Sequence, residues 1–185
     1  MNIGANLLQS GAKNIDCEAL ARGLRAVLEG APTEMKPDEA GKILNKYFSE
    51  LEEAKSKDAI EDGAAFLAAN GERKEVTTLK SGLQYEVLKA GDGPKPKATD
   101  TVRCHYHGTL IDGTVFDSSV RRGQPADFPV GGVIAGWVEA LQLMPVGSKW
   151  KLYIPYNLGY GARGAGQSIP PYATLVFEVE LLQIL

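Results

Sequence analysis

Gly132-Val133-Ile134-Ala135-Gly136-Trp137-Val138-Glu139-Ala140-Leu141 decides how the rest of the chain is read. The stretch predicts one short helix carrying one very large side chain. Gly131-Gly132 lets the chain turn in, and Met144-Pro145 stops any extension. Ile134, Trp137, Val138 and Leu141 recur at helical spacing and form one apolar face. Gly136 keeps the helix slim enough for close packing. Its first N–H groups have no intrahelical partner. A helix start beside an indole therefore offers an apolar floor and free backbone donors in one place.

The segments around this helix read as strands. Leu83 to Leu88 places Leu83, Tyr85 and Val87 on one face, and Thr101 to Ile111 is long enough to cross a sheet. Asp112-Gly113 is a hairpin signal, with Val115 to Ser119 returning from it. Lys149 to Ile154 alternates Trp150, Leu152 and Ile154 against polar residues. Ala173 to Ile184 does the same with Leu175, Phe177, Val179 and Leu181. Four or five strands around one short helix predict an antiparallel sheet wrapped on that helix, an α+β layout. Six aromatics, Tyr106, Phe116, Phe128, Trp137, Tyr160 and Phe177, then come from four strands, one helix and one loop. So many rings around one helix predict a lined concavity.

Residues 1–75 read as helices instead. Ile3, Leu7 and Leu8 share a face, with Gly11 as a stop. Asp16 caps a second helix to Glu29 whose stripe is Leu20, Leu24, Val27 and Leu28, ended by Gly30. Pro37 opens a third, with Asp38 and Glu39 in its first turn, running to Asn70-Gly71 and weakened only at Gly63. Its charged middle reads as a solvated connecting helix. The first two helices are too small to bury a core, so with the apolar patch Ile43, Leu44, Tyr47, Phe48 and Leu51 they are expected to pair with a second copy.

Composition narrows the function. The 185 residues carry a net charge of −3, which offers nucleic acid or an anionic membrane surface no electrostatic attraction. Residues 1–75 hold 10 basic and 14 acidic residues and residues 76–185 hold 10 and 9, so the C-terminal part is close to neutral. That suits a site for uncharged backbone or apolar groups. No apolar run approaches the ~20 residues of a membrane span. Two distant cysteines, Cys17 and Cys104, make no disulfide framework, so the cytoplasm is the expected compartment. Met1 to Leu8 reads as helix with no cap before it. A start inside a longer helix would make a periplasmic or lipid-anchored location the alternative.

Other chemistry finds little footing. Gly159-Tyr160-Gly161-Ala162-Arg163-Gly164 matches GxGxxG, but Ile169-Pro170-Pro171 follows where a dinucleotide fold needs a helix. His105 and His107 share one strand face and could bind a metal, but no other histidine exists to complete a site. No Gly-x-Ser-x-Gly elbow is present. Asp117 reads either as a turn residue or as a carboxylate at the rim of an apolar pocket.

Several of these stretches together carry a family resemblance. Val102 to Gly108, Asp112 to Ser119, Val133 to Trp137, Gly159 to Gly161 and Ile169 to Phe177 resemble the FKBP family of macrolide-binding peptidyl-prolyl cis–trans isomerases, in the right order over about 81–185. The helical N-terminus resembles the bacterial dimeric branch, which includes the macrophage infectivity potentiator type. The resemblance implies catalytic roles for Tyr106, Phe116, Asp117, Trp137, Tyr160 and Phe177. Phe128, Val133, Ile134 and Ile169 would hold substrate or macrolide. The Ile134 N–H and the Tyr160 hydroxyl would donate to substrate carbonyls. Ala126 and Ser168 depart from the better-known eukaryotic pattern, which has an aromatic and a branched apolar residue there. The implied domains are 1–50 for dimerisation, 51–75 as connecting helix continuous with the one starting near 37, and 76–185 for isomerisation. Expected partners are unfolded or partly folded proteins with X–Pro bonds, tacrolimus or rapamycin, and a second copy of the chain, with chaperone-type action as a dimer. No cofactor or metal is expected. The alternative function is a non-catalytic proline-binding adaptor.

Overall fold

The structure, a computed structural model, describes residues 2–10, 12 and 15–185. The chain divides into two compact units, Met1–Lys55 and Ser56–Leu185. The expected stop at Gly11 and the side chain of Ile3 lie outside the described residues. Among the described residues no helix is long and apolar enough to cross a membrane.

The first unit holds α1 (Asn2–Ser10), α2 (Cys17–Glu29) and the start of α3 (Pro37–Gly71). Asp16 caps α2 as expected, accepting from the N–H groups of Glu18 and Ala19, and Gly30 ends it at φ 65°. α2 buries none of its residues, and its stripe of Leu20, Leu24, Val27 and Leu28 faces solvent.

The second unit holds the rest of α3 and one antiparallel sheet. Its strands are β1 (Val76–Thr78), β2 (Gln84–Lys89), β3 (Thr101–Leu110), β4 (Val115–Ser118), β5 (Ala126–Pro129), β6 (Lys149–Ile154) and β7 (Leu175–Ile184). The order is β1-β2-β6-β7-β3-β4, with β5 also on β3. Two short helices interrupt it, α4 (Ser119–Arg122) and α5 (Ala135–Leu143). The expected α+β architecture is thus present, with seven strands where four or five were read. β1 escaped notice because a three-residue strand shows too little alternation to be seen.

The core lies between the sheet and α5. Leu141 and Met144 meet Leu152, Ile154, Leu175, Val179 and Leu181, all fully buried. Gly136 lets α5 approach β6, since a Cβ there would stand 2.7 Å from Ile154 Cγ2. One residue of the expected apolar face stays exposed. Val87 shares the Tyr85 face and stands in register with Trp150, but it lies near the end of β2, where the pairing with β6 shifts before Lys89.

The second half of α3 differs from a solvated connector. The unit boundary falls after Lys55, so residues 56–75 belong with the sheet. Gly63 is buried, and a Cβ there would overlap Thr174 Oγ1. It is a packing position and not a weak point. The Phe66 ring meets Tyr153 at 6.0 Å. Asn70 is buried and donates to Gln84 Oε1 at 2.8 Å, while Gln84 Nε2 donates to Leu67 O at 2.8 Å. Arg73, just past the helix, reaches Tyr153 and Glu86. The polar sequence here is used against a polar patch of the sheet, which hydrophobic periodicity does not register.

Candidate functional site

α5 starts at Ala135 with Ile134 as its N-cap, and no side chain caps it. The Ile134 carbonyl accepts from Trp137 N and Val138 N. Among the described residues the Ile134 N–H has no acceptor, as the sequence predicts for a helix start.

Above this start lies a cavity of about 600 Å3. All ten expected site residues line it: Tyr106 from β3, Phe116 and Asp117 from β4, Phe128 from β5, Val133, Ile134 and Trp137 at α5, Tyr160 and Ile169 from the loops after β6, and Phe177 from β7. Gly132, Ala165, Gly166 and Ser168 complete the wall. Ala126 is absent from it and packs against the core instead.

Trp137, only 4% exposed, is the hub. The rings of Tyr106, Phe128 and Phe177 stand edge-on to its indole at 5.6, 5.4 and 5.3 Å, and Phe116 stands edge-on to Phe177 at 5.3 Å. Gly108 on β3 makes room for two of these walls. A Cβ there would lie 2.6 Å from Phe116 and 2.8 Å from Phe177. Trp137 Nε1 is buried without a hydrogen-bond partner among the described residues.

The polar rim is a three-membered cluster. The Tyr106 hydroxyl donates to Asp117 Oδ2, and Arg122 donates to Asp117 Oδ1 and, at 2.7 Å, to the Tyr106 oxygen. Arg122 also lies over the Tyr106 ring at 5.6 Å. Burial pushes the Asp117 carboxyl up, but the bonds from Tyr106 and Arg122 and the guanidinium charge outweigh it and hold the group below its ordinary value. Tyr106 is raised by burial and by its bond to Asp117, with Arg122 opposing. Tyr160 is raised by burial and by the Asp117 charge.

Sequence reasoning did not find Arg122. Its only signal was a position one turn past Asp117 in a segment too short to be read as helix. Among the described residues no group of three or more His, Cys, Asp or Glu could hold a metal ion. The arrangement is an aromatic slot with a carboxylate held at its rim, a phenol and a free backbone donor. It can take a compact apolar ring and the carbonyls beside it.

The family model described as FKBP-type peptidyl-prolyl cis-trans isomerase matches residues 93–182. The model described as the domain amino terminal to FKBP-type peptidyl-prolyl isomerase matches residues 1–87. The FKBP-type 22 kDa peptidyl-prolyl cis-trans isomerase of Escherichia coli is 48% identical over 188 residues, covering 100% of this chain and 91% of that protein. The outer membrane protein MIP of Legionella longbeachae is 42% identical over 190 residues, covering 99% and 81%. The crystal structure of FkpA from Escherichia coli superposes with a TM-score of 0.82 at 34% identity, covering 99% of this chain and 89% of that one.

Proposed function

The chain belongs to the FKBP-type peptidyl-prolyl cis-trans isomerase family, and from that premise we propose how its own residues turn an X–Pro bond. Rotation about the peptide C–N bond meets a barrier of ~18–20 kcal/mol because resonance must be broken. Uncatalysed X–Pro exchange takes about tens of seconds or more. The planar amide is more polar than the twisted one. An apolar slot therefore disfavours the planar state relative to water, and fixed donors hold the chain twisted.

In this reading the proline ring lies on the Trp137 indole between Tyr106, Phe116, Phe128 and Phe177. The Ile134 N–H and the Tyr160 hydroxyl donate to carbonyl oxygens on either side, Val133 and Ile169 contact the flanking residue, and the ionised Asp117 faces the rotating amide from the rim. A thousandfold acceleration asks for only ~4 kcal/mol. The observation that carries the reading is the convergence of six rings on one cavity whose lining includes the Ile134 N–H, unpaired among the described residues.

The substrates are unfolded or partly folded proteins with an apolar residue before proline. Tacrolimus and rapamycin fit the same slot, with Ser168 as the rim position that sets their affinity. Prolyl-peptide exchange measured with and without rapamycin tests the reading. We expect acceleration that rapamycin abolishes. No acceleration at micromolar protein would leave a non-catalytic adaptor.

The proposal assigns residues 1–50 to pairing two copies, with chaperone-type action by the dimer. Its support is the solvent-facing α2 stripe, where Val27 and Leu28 are 67% and 78% exposed in a single chain. Two unpaired cysteines favour the cytoplasm, whereas the relative named as an outer membrane protein favours the cell envelope. Cell fractionation decides between them.

A further inference from the structure

Two histidines on the far side of the sheet reach the pocket through two serines. His105 and His107 flank Tyr106 on β3, so while Tyr106 faces the cavity both imidazoles face the opposite side. Ser118 and Ser119 follow Asp117 directly and are buried, at 4% and 0% exposure. Ser119 Oγ accepts from Tyr106 N–H at 2.7 Å, stands 3.2 Å from Tyr106 O, and lies 3.0 Å from His105 Nδ1. Ser118 Oγ accepts from Arg121 N–H at 3.2 Å and lies 3.0 Å from His107 Nδ1.

The segment held this way is otherwise weakly anchored. β4 is four residues long, and its pairing with β3 loses register between Gly108 and Thr109. α4 is a single turn. Yet this short corner carries Asp117 at one end and Arg122 at the other, and both must meet the Tyr106 hydroxyl. Each serine already accepts a backbone N–H and turns its own proton toward Tyr106 O, 3.2 Å from Ser119 Oγ and 3.5 Å from Ser118 Oγ. An imidazole Nδ1–H completes such a hydroxyl by donating to its remaining lone pair.

We propose that His105 and His107 are positioning residues of the active site: through Ser119 and Ser118 they hold the β4–α4 corner, and with it the Asp117–Arg122–Tyr106 cluster, in the geometry the pocket uses. The inference rests on the reading of the pocket given above. The charges around the two rings leave them this role. Glu180 and Glu178 stand opposite them on β7, and Lys149 pairs with Glu178 at 2.9 Å. Arg121 borders the same groove. Among the described residues, none of these groups bonds to either serine hydroxyl apart from the Arg121 backbone.

The test compares the full chain with the double variants His105→Leu/His107→Leu and His105→Asn/His107→Asn. An asparagine amide can present a polar atom near the place of Nδ1. The leucine pair is expected to lose about tenfold in kcat/KM, the factor one hydrogen bond of middling strength supports. The asparagine pair should recover most of that loss, and Lys151→Ala, on the same outer face, should match the wild type. Melting temperatures should stay together, because both imidazoles are only half-buried. If the leucine pair fails to fold, His107→Leu against His107→Asn makes the same comparison. The inference is overturned if the leucine variant keeps wild-type kcat/KM, or if asparagine does no better than leucine. An inactive wild type would overturn the pocket reading itself and this inference with it.

Discussion

Asp117 and Arg122 stand five residues apart across the β4–α4 corner, and their side chains close on each other while both reach the Tyr106 hydroxyl. The folded carboxyl is therefore more acidic than the unfolded one. A group with a lowered folded value stabilises above its unfolded value, about 3.9 for aspartate, and loses that contribution as pH falls through the folded value. Asp117→Asn should melt below the wild type at pH 7, with the gap closing under about pH 4. The pair is half-exposed, so the gap is expected to be small. A gap that widens in acid would contradict the assignment. At neutral pH, Asp117→Leu should lose most isomerase activity in prolyl-peptide exchange.

Gly108→Ala tests the aromatic walls without touching a candidate donor. The new methyl would stand 2.6 and 2.8 Å from two rings, so both would have to shift into the cavity. Overpacking of this kind costs about 1–3 kcal/mol. Chemical denaturation should show that loss, and rapamycin binding should weaken with it. Unchanged binding would mean that Phe116 and Phe177 do not form one wall.

Gly63→Ala reverses the usual effect of this exchange in a helix. Alanine gains up to about 1 kcal/mol of helix propensity. Here its methyl would overlap Thr174 Oγ1, with Thr174 Cβ at 3.3 Å. Overpacking of about 1–3 kcal/mol should win. Thr174→Ala in the same chain should restore part of the loss, and a double-mutant cycle by denaturation measures the coupling.

The two cysteines should separate under a thiol reagent. Cys104 is buried in β3, and desolvation pushes its thiol up to about 12. Cys17 is exposed. One equivalent should react in the native protein at neutral pH and two in denaturant. A second fast equivalent in the native state would mean that β3 opens readily.

Leu24→Asp/Leu28→Asp places two charges on the solvent-facing α2 stripe. If that stripe pairs two copies, sedimentation should shift from dimer to monomer while prolyl-peptide exchange on short substrates is retained. A dimer that survives both charges would move the interface elsewhere.

Much of this architecture was legible in the residues. Trp150, Leu152 and Ile154, and Leu175 through Leu181, alternate because one sheet face is buried, and that period survives in sequence. Asp16 and Gly30 announced the ends of α2 because capping is local chemistry. Arg122 and the serine–histidine bonds could not be read this way, since they depend on which strands become neighbours. The docking of α3 was hidden for another reason. Asn70, Gln84 and Arg73 join helix to sheet through polar groups, and a search for apolar faces passes over them.

The pairing of β3 with β7 also governs when the chain can act. Val102 lies beside Ile184 in that ladder, so one loop spanning most of the unit must close before the sheet is continuous. The cavity draws on both strands, Tyr106 from one and Phe177 from the other. Such non-local pairing belongs to the slower folding topologies. Little of the pocket can exist in a partly synthesised chain, and activity should appear together with the last strand.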